Sequence, residues 1–258
     1  MGRGYVKNGD GMRHSALIII MLLSMLMMQG CEQGRDLQPQ DYFEGKQLDI
    51  ANVIYEGDRQ KLDKVLPTVS KETLNRPAKA EMTLLFWAIN NAIFDKNTPE
   101  RLKIITDLVK AGADPLQPRA EGGSSPAEFV MKANKGVWIQ AMLEGGLSPN
   151  ARDKVHNQPI IFESFDAANT ETLKILIAYK ADVNIKGAMN RTPLINALYN
   201  SCPEHIEVLL AHGANPLAKD DFNDSFLSLI SAEIDKGDKS NAYIKKLIKI
   251  KEKIKQVN

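Results

Sequence analysis

Ala111-Gly112-Ala113-Asp114-Pro115, Gly145-Gly146-Leu147-Ser148-Pro149-Asn150, Lys180-Ala181-Asp182-Val183-Asn184 and His212-Gly213-Ala214-Asn215-Pro216 are four versions of one turn. Counted from Gly112 to Gly146 to Lys180 to Gly213, they stand 34, 34 and 33 residues apart. A fixed spacing in this range is the mark of stacked supersecondary units rather than of a single irregular core. Ahead of each turn lies an amphipathic stretch: LKIITDLVK (102–110), VWIQAMLE (137–144), TLKILIAY (172–179) and HIEVLLA (205–211). Their apolar residues recur at helical spacing, so each unit ends as a helix closed by a turn.

Each unit should also open on a helix. The fullest opening is Arg191-Thr192-Pro193-Leu194-Ile195-Asn196-Ala197. Thr192 can cap the helix, and Pro193 sits where a missing N–H is harmless. Thr83-Leu84-Leu85-Phe86-Trp87-Ala88 keeps that frame without proline, whereas Ser125-Pro126-Ala127-Glu128 and Gln158-Pro159-Ile160-Ile161 keep the proline. A more degenerate copy, IANVIYEGDRQKLDKVL (50–66), carries Gly57-Asp58 between its helices. The second copy has an insertion around Phe94–Pro99, and a longer connection through residues 118–124.

Together these motifs resemble ankyrin repeats, in five copies over about residues 48–218. The resemblance implies an all-α solenoid of about five helix-turn-helix repeats with short hairpin connections. One helix pair cannot bury its apolar side alone, so neighbours stack into a continuous core and the ends need polar caps. Residues 46–220 are assigned to the repeats and 221–258 to a basic C-terminal cap. Segments 226–230 and 243–257 read as its helix pair. In the last helix Lys245, Lys246, Lys249, Lys251, Lys253 and Lys255 surround Ile244, Leu247, Ile248 and Ile254. That stripe could pack on the last repeat, which is the preferred reading, or could touch anionic lipid.

The N-terminus reads as an address. Ala16–Met28 is thirteen residues without a charge, about 20 Å of helix and short of a bilayer's ~30 Å core. Arg13 and His14 flank it as in a signal peptide, and Met12 begins that unit cleanly as a translation start. The run ends Met28-Gln29-Gly30-Cys31, which resembles a lipobox, with Met28 and Gln29 where the pattern prefers Leu and a small residue. The resemblance implies a signal peptide over 1–30, lipidation of Cys31, and a polar tether over 31–45. The alternatives are an ordinary secretory signal or an uncleaved apolar anchor helix, either with an incidental cysteine. Acylation of Cys31 would leave Cys202, the second of two cysteines, without a disulfide partner. The expected location is the cell envelope, facing the periplasm, with the outer membrane favoured over the inner.

Catalytic patterns are scarce. With 33 basic and 32 acidic residues, no global field recruits nucleic acid. His205 and His212 are seven apart on one helix, without an HExxH or Cys-x-x-Cys companion, so a metal site is not expected. The Gly-Gly-Ser-Ser at 122–125 is neither a nucleophile elbow nor a phosphate loop. The expectation is a binding protein, not an enzyme, with no cofactor. Trp87 and Trp138 are expected in the core. Candidate partner contacts are the residues at the hairpin tips: Arg119, Arg152, Asp153, Lys154, Lys186, Asn190, Lys219, Asp220 and Phe222.

A lipid-anchored ankyrin protein of this build resembles the immunity proteins paired with type VI secretion lipase effectors. Asp41-Tyr42-Phe43-Glu44-Gly45, leading into Leu48-Asp49-Ile50-Ala51, is similar to the start of their mature domain. That resemblance implies a protein partner, a toxin neutralised by steric occlusion at the membrane. The alternative is an envelope scaffold for a resident periplasmic enzyme or stress protein.

Overall fold

The computed structural model describes residues 37–120 and 123–257. Met12, the apolar signal segment, Cys31 and most of the tether lie outside the described residues. From Pro39 onward the chain is built of stacked helix pairs. The first is α1 (Gly45–Glu56) with α2 (Arg59–Val65), followed by the short α3 (Lys71–Asn75). Next come α4 (Leu84–Phe94) with α5 (Pro99–Ala111), and α6 (Pro126–Met131) with α7 (Val137–Glu144). A 3-10 helix, Ile160–Asp166, pairs with α8 (Glu171–Ala178), and α9 (Pro193–Tyr199) with α10 (Pro203–Ala211). The cap is α11 (Phe226–Lys236) with α12 (Ala242–Val257). First helices pack on first helices and second on second, as α9 on α11 and α10 on α12.

The four turns that recur in the sequence are four copies of one geometry. Gly112, Gly146, Lys180 and Gly213 all have positive φ, at 106°, 112°, 70° and 87°. In each case the next residue's N–H reaches back five residues: Ala113 to Leu108, Leu147 to Met142, Ala181 to Leu176 and Ala214 to Leu209, at 2.9–3.0 Å. This is a Schellman closure, which satisfies carbonyls a helix end would otherwise leave bare. Lys180 is the one of the four with a Cβ in the left-handed region. Lys180→Gly is therefore expected to raise unfolding free energy by about 1 kcal/mol, read as a higher urea midpoint at unchanged slope.

Helix openings follow the caps. Thr83 accepts from Phe86 N–H, Thr192 from Ile195 N–H, and Ser125 and Ser225 each form a reciprocal capping box. At the corresponding place in the fourth unit stands Gln158, too long to cap its own first turn, and there the helix is 3-10 instead of α. Its Oε1 accepts from Ala188 N–H in the next hairpin at 2.8 Å.

The folded body starts earlier than the tether boundary at residue 45 implied. Phe43 is fully buried, and Tyr42, Phe43 and Tyr55 surround Trp87 with ring centroids 5.8–6.2 Å away. Residues 39–43 thus close the open end of the first repeat. At the other end Ile244, Leu247, Ile250 and Ile254 of α12 are buried. Lys253 pairs with Glu207 at 3.1 Å and Lys246 with Glu204, both acids on α10. The buried face of α12 therefore packs on the repeats in a capping arrangement, with Ile250 in the core where the sequence pointed to Ile248, which is only half-buried.

Candidate protein-binding surface

The hairpins between units form one edge of the stack. Asp153 and Asp220, one from each of two tips, were expected as partner contacts. Both are buried, and both hold their own loop together. Asp153 accepts from the N–H groups of Val155 (2.9 Å), His156 (2.5 Å) and Gln158 (2.6 Å). Burial pushes its carboxyl up, but the three N–H groups outweigh this and hold it below the usual carboxylate range. Asp220 accepts in the same way from Phe222 and Asp224 N–H, at 2.9 and 3.0 Å.

The tip cations cross-link neighbouring hairpins. Arg152 donates to the carbonyl of Lys186 at 2.8 Å, and Lys186 in turn to the carbonyl of Lys219 at 2.9 Å. These three residues occupy the same register, six places after Gly146, Lys180 and Gly213. Lys219 ends the series by donating to Asn223 at 2.7 Å. Lys154 pairs with Asp114, and Asn190 donates to Asp221 at 2.6 Å. Arg119 stacks over Phe86 at 5.3 Å. Asparagines act similarly one level down: Asn150 Oδ1 accepts from Asp182 N–H and Asn184 Oδ1 from Asn215 N–H, both at 2.7 Å. Much of the polar inventory of this edge thus contacts the edge itself.

Among the exposed, mostly polar residues of this edge stand three large apolar side chains. Val155 is 59% exposed, Met189 46% and Phe222 63%. Each stands nine places after its unit's left-handed turn residue, so one exposed apolar side chain recurs on three successive tips. Sequence reasoning selected Phe222 and missed Val155 and Met189. The signal was available, as apolar residues in polar loops at the repeat spacing. Tyr199, at the end of α9, adds a ring that is 50% exposed.

The groups considered for chemistry are apart. His205 is buried edge-on to Phe165, ring centroids 5.7 Å apart, and burial holds its imidazole below the ordinary histidine value despite the nearby Ser164 and Asn169 backbone. His212 is exposed, its Nδ1 2.8 Å from the Val208 carbonyl. Cys202 is a free, half-exposed thiol directed at the carbonyls of Phe165 and Asn200, both at 3.3 Å; burial, then Asp166 and Glu204, push it up. Among the described residues no His, Cys, Asp and Glu side chains gather as a metal-binding group. No helix among them is long and apolar enough to cross a membrane. Trp138 lies in the core, as expected, its Nε1 donating to Asn97 in the insertion at 2.7 Å.

Residues 130–220 match the family described as ankyrin repeats, in 3 copies. The human transient receptor potential cation channel subfamily A member 1 is 27% identical over 95 residues, 36% of this chain and 8% of that protein. An ankyrin repeat protein of fowlpox virus is 33% identical over 82 residues, 30% of this chain and 27% of that protein. The mouse B-cell lymphoma 3 protein homolog is 28% identical over 131 residues, 46% of this chain and 29% of that protein. The chain thus spans less than a third of each of these relatives. The ankyrin repeat domain of Bcl-3 superposes with a TM-score of 0.56 at 19% identity, over 77% of this chain and 82% of that one. Family match, turn register and superposition agree: the chain carries an ankyrin-repeat domain.

Proposed function

We propose that this protein binds a protein partner through its hairpin edge, and that it does so as a lipoprotein that neutralises a toxin at the membrane. The observation that carries the binding role is the recurrence of Val155, Met189 and Phe222 as exposed apolar side chains on consecutive tips. Exposed apolar surface backed by a rigid scaffold is a contact surface in waiting. The cross-hairpin bonds of Arg152 and Lys186 supply that rigidity, so little ordering entropy is lost on association. The envelope part of the proposal rests on the apolar run 16–28 with Cys31 after it, and the toxin part on the resemblance around Asp41–Gly45. A lipid tether would hold the edge at high local concentration where a membrane-active toxin works.

The test is co-expression with the product of the neighbouring gene, directed to the periplasm, with growth rescue and pull-down as readouts. The wild-type chain is expected to rescue. The triple variant Val155→Asp, Met189→Asp, Phe222→Asp is expected to lose rescue and bind at least about a hundredfold more weakly. Its urea midpoint should stay close to wild type, because exposed substitutions change stability by about 0.5 kcal/mol or less each. No complex with the wild-type chain would reject the toxin reading. Full rescue by the triple variant would reject the hairpin edge as the interface.

A further inference from the structure

Beside the last tip, one cation is held by ring contacts and a long ion pair, with no side-chain hydrogen bond among the described residues. Arg191 enters α9 from the hairpin between the fourth and fifth repeats, and its guanidinium carbon lies 4.6 Å from the ring centroid of Tyr199 and 5.7 Å from that of Phe222. The Arg191 side chain is only 24% exposed. Its Nε is buried in a long ion pair with Asp220 Oδ2 at 3.7 Å, too far for a hydrogen bond, and neither atom has another partner among the described residues, so a partner would reach the exposed remainder of the side chain. The Asp220 carboxylate does not close that gap, because the hairpin N–H groups of Phe222 and Asp224 hold its Oδ1. Arg152 and Lys186 by contrast donate to main-chain carbonyls and Lys154 to a carboxylate, whereas Arg119, over Phe86, likewise has a buried Nε without a hydrogen-bond partner among the described residues.

We propose that Arg191, with Tyr199 and Phe222, receives a carboxylate side chain of the bound protein, flanked there by apolar residues. A guanidinium presents a planar fork of donors that matches a carboxylate with two parallel bonds. Stacking on two rings removes much of its motion and part of its hydration, which strengthens any bond it then makes. The exposed faces of Tyr199, Phe222 and Met189 supply the apolar surround that excludes water from such a contact. Asp220, a buried carboxylate beside the site, opposes a doubly charged phosphate more than it opposes a single carboxylate. This assignment rests on the protein-binding role of the hairpin edge and names the chemistry it recognises.

The test uses random dodecapeptides displayed on phage, selected on the immobilised full chain and counter-selected with its Arg191→Gln variant. Enriched peptides are expected to carry Asp or Glu beside an aromatic or aliphatic residue. They should bind Arg191→Gln at least about tenfold more weakly, which is the effect of losing one charge-assisted pair. Arg191→Lys should restore only part of the loss, because an ammonium lacks the fork. Thermal midpoints of both variants within about 2 °C of wild type establish that folding is intact. Peptides without an acidic residue, unchanged binding by Arg191→Gln, or no enrichment at all would each overturn the assignment. Peptides that ignore Arg191 yet are lost with Val155→Asp and Met189→Asp would overturn the carboxylate site alone and leave the hairpin edge standing.

Discussion

Trp87→Ala is expected to lower unfolding free energy by about 3–5 kcal/mol, the largest effect of any single truncation in the first two repeats. Trp87 is 1% exposed and sits where three separate stretches of chain meet. Tyr42 and Phe43 reach it from the segment ahead of α1, Tyr55 stacks on it from the end of α1, and its Nε1 donates to the Ala51 carbonyl at 3.0 Å. Removing the indole leaves a cavity that none of these rings can fill without moving the segment that carries it. Trp87→Phe keeps most of the volume and loses only the Ala51 bond, so a loss of about 1–2 kcal/mol is expected. Urea titration of both variants by tryptophan-independent circular dichroism checks the pair of values. A Trp87→Ala loss below that of Trp87→Phe would mean that the aromatic cluster is not what seals this end.

Arg101→Met should come second, at about 3–5 kcal/mol. Arg101 belongs to α5 of the second repeat, yet its guanidinium caps the first: it donates to the carbonyls of Ile54 and Tyr55 at the end of α1 and to the Asp95 carboxylate. It is 5% exposed. The adjoining Gly57 has φ +74°, and a Cβ there would lie 3.0 Å from the guanidinium carbon. The glycine therefore serves both the left-handed turn and the close approach of the arginine. Stacked repeats are stabilised chiefly by their neighbours, so the damage should be local. Hydrogen exchange in Arg101→Met is expected to show lost protection over residues 45–65, with the C-terminal repeats unaffected. Arg101→Lys should recover little, because one ammonium cannot serve two carbonyls and a carboxylate in the same plane. Uniform loss of protection along the chain would contradict the local picture.

Much of the architecture was legible in the sequence because it is written locally. Gly112, Gly146 and Gly213 announce a left-handed residue, Thr192 and Ser125 announce a helix start, and the spacing between them announces stacking. The unusual member of each set was harder. Lys180 takes the left-handed turn without being glycine, since the pattern around it demands that geometry. Gln158 keeps the proline after it but not the cap, and the result is a 3-10 helix that no spacing could reveal.

The tips were the reverse case. Asp153, Lys154 and Phe222 are equally polar-loop residues in sequence, and the choice among them is made by partners about 30–40 residues away or by a few N–H groups of one loop. Tertiary structure buries Asp153 and Asp220, ties Arg152 and Lys186 to the next hairpin, and leaves Val155, Met189 and Phe222 facing water. It also sets Arg191 against the rings of Tyr199 and Phe222, with its buried Nε lacking a hydrogen bond among the described residues. The sequence by itself determined that helix pairs repeat and where each turns, because caps and left-handed residues act on their immediate neighbours. Which tip residues brace the stack and which remain available to a partner was decided only by folding, because that depends on hydrogen bonds between adjacent repeats and on burial.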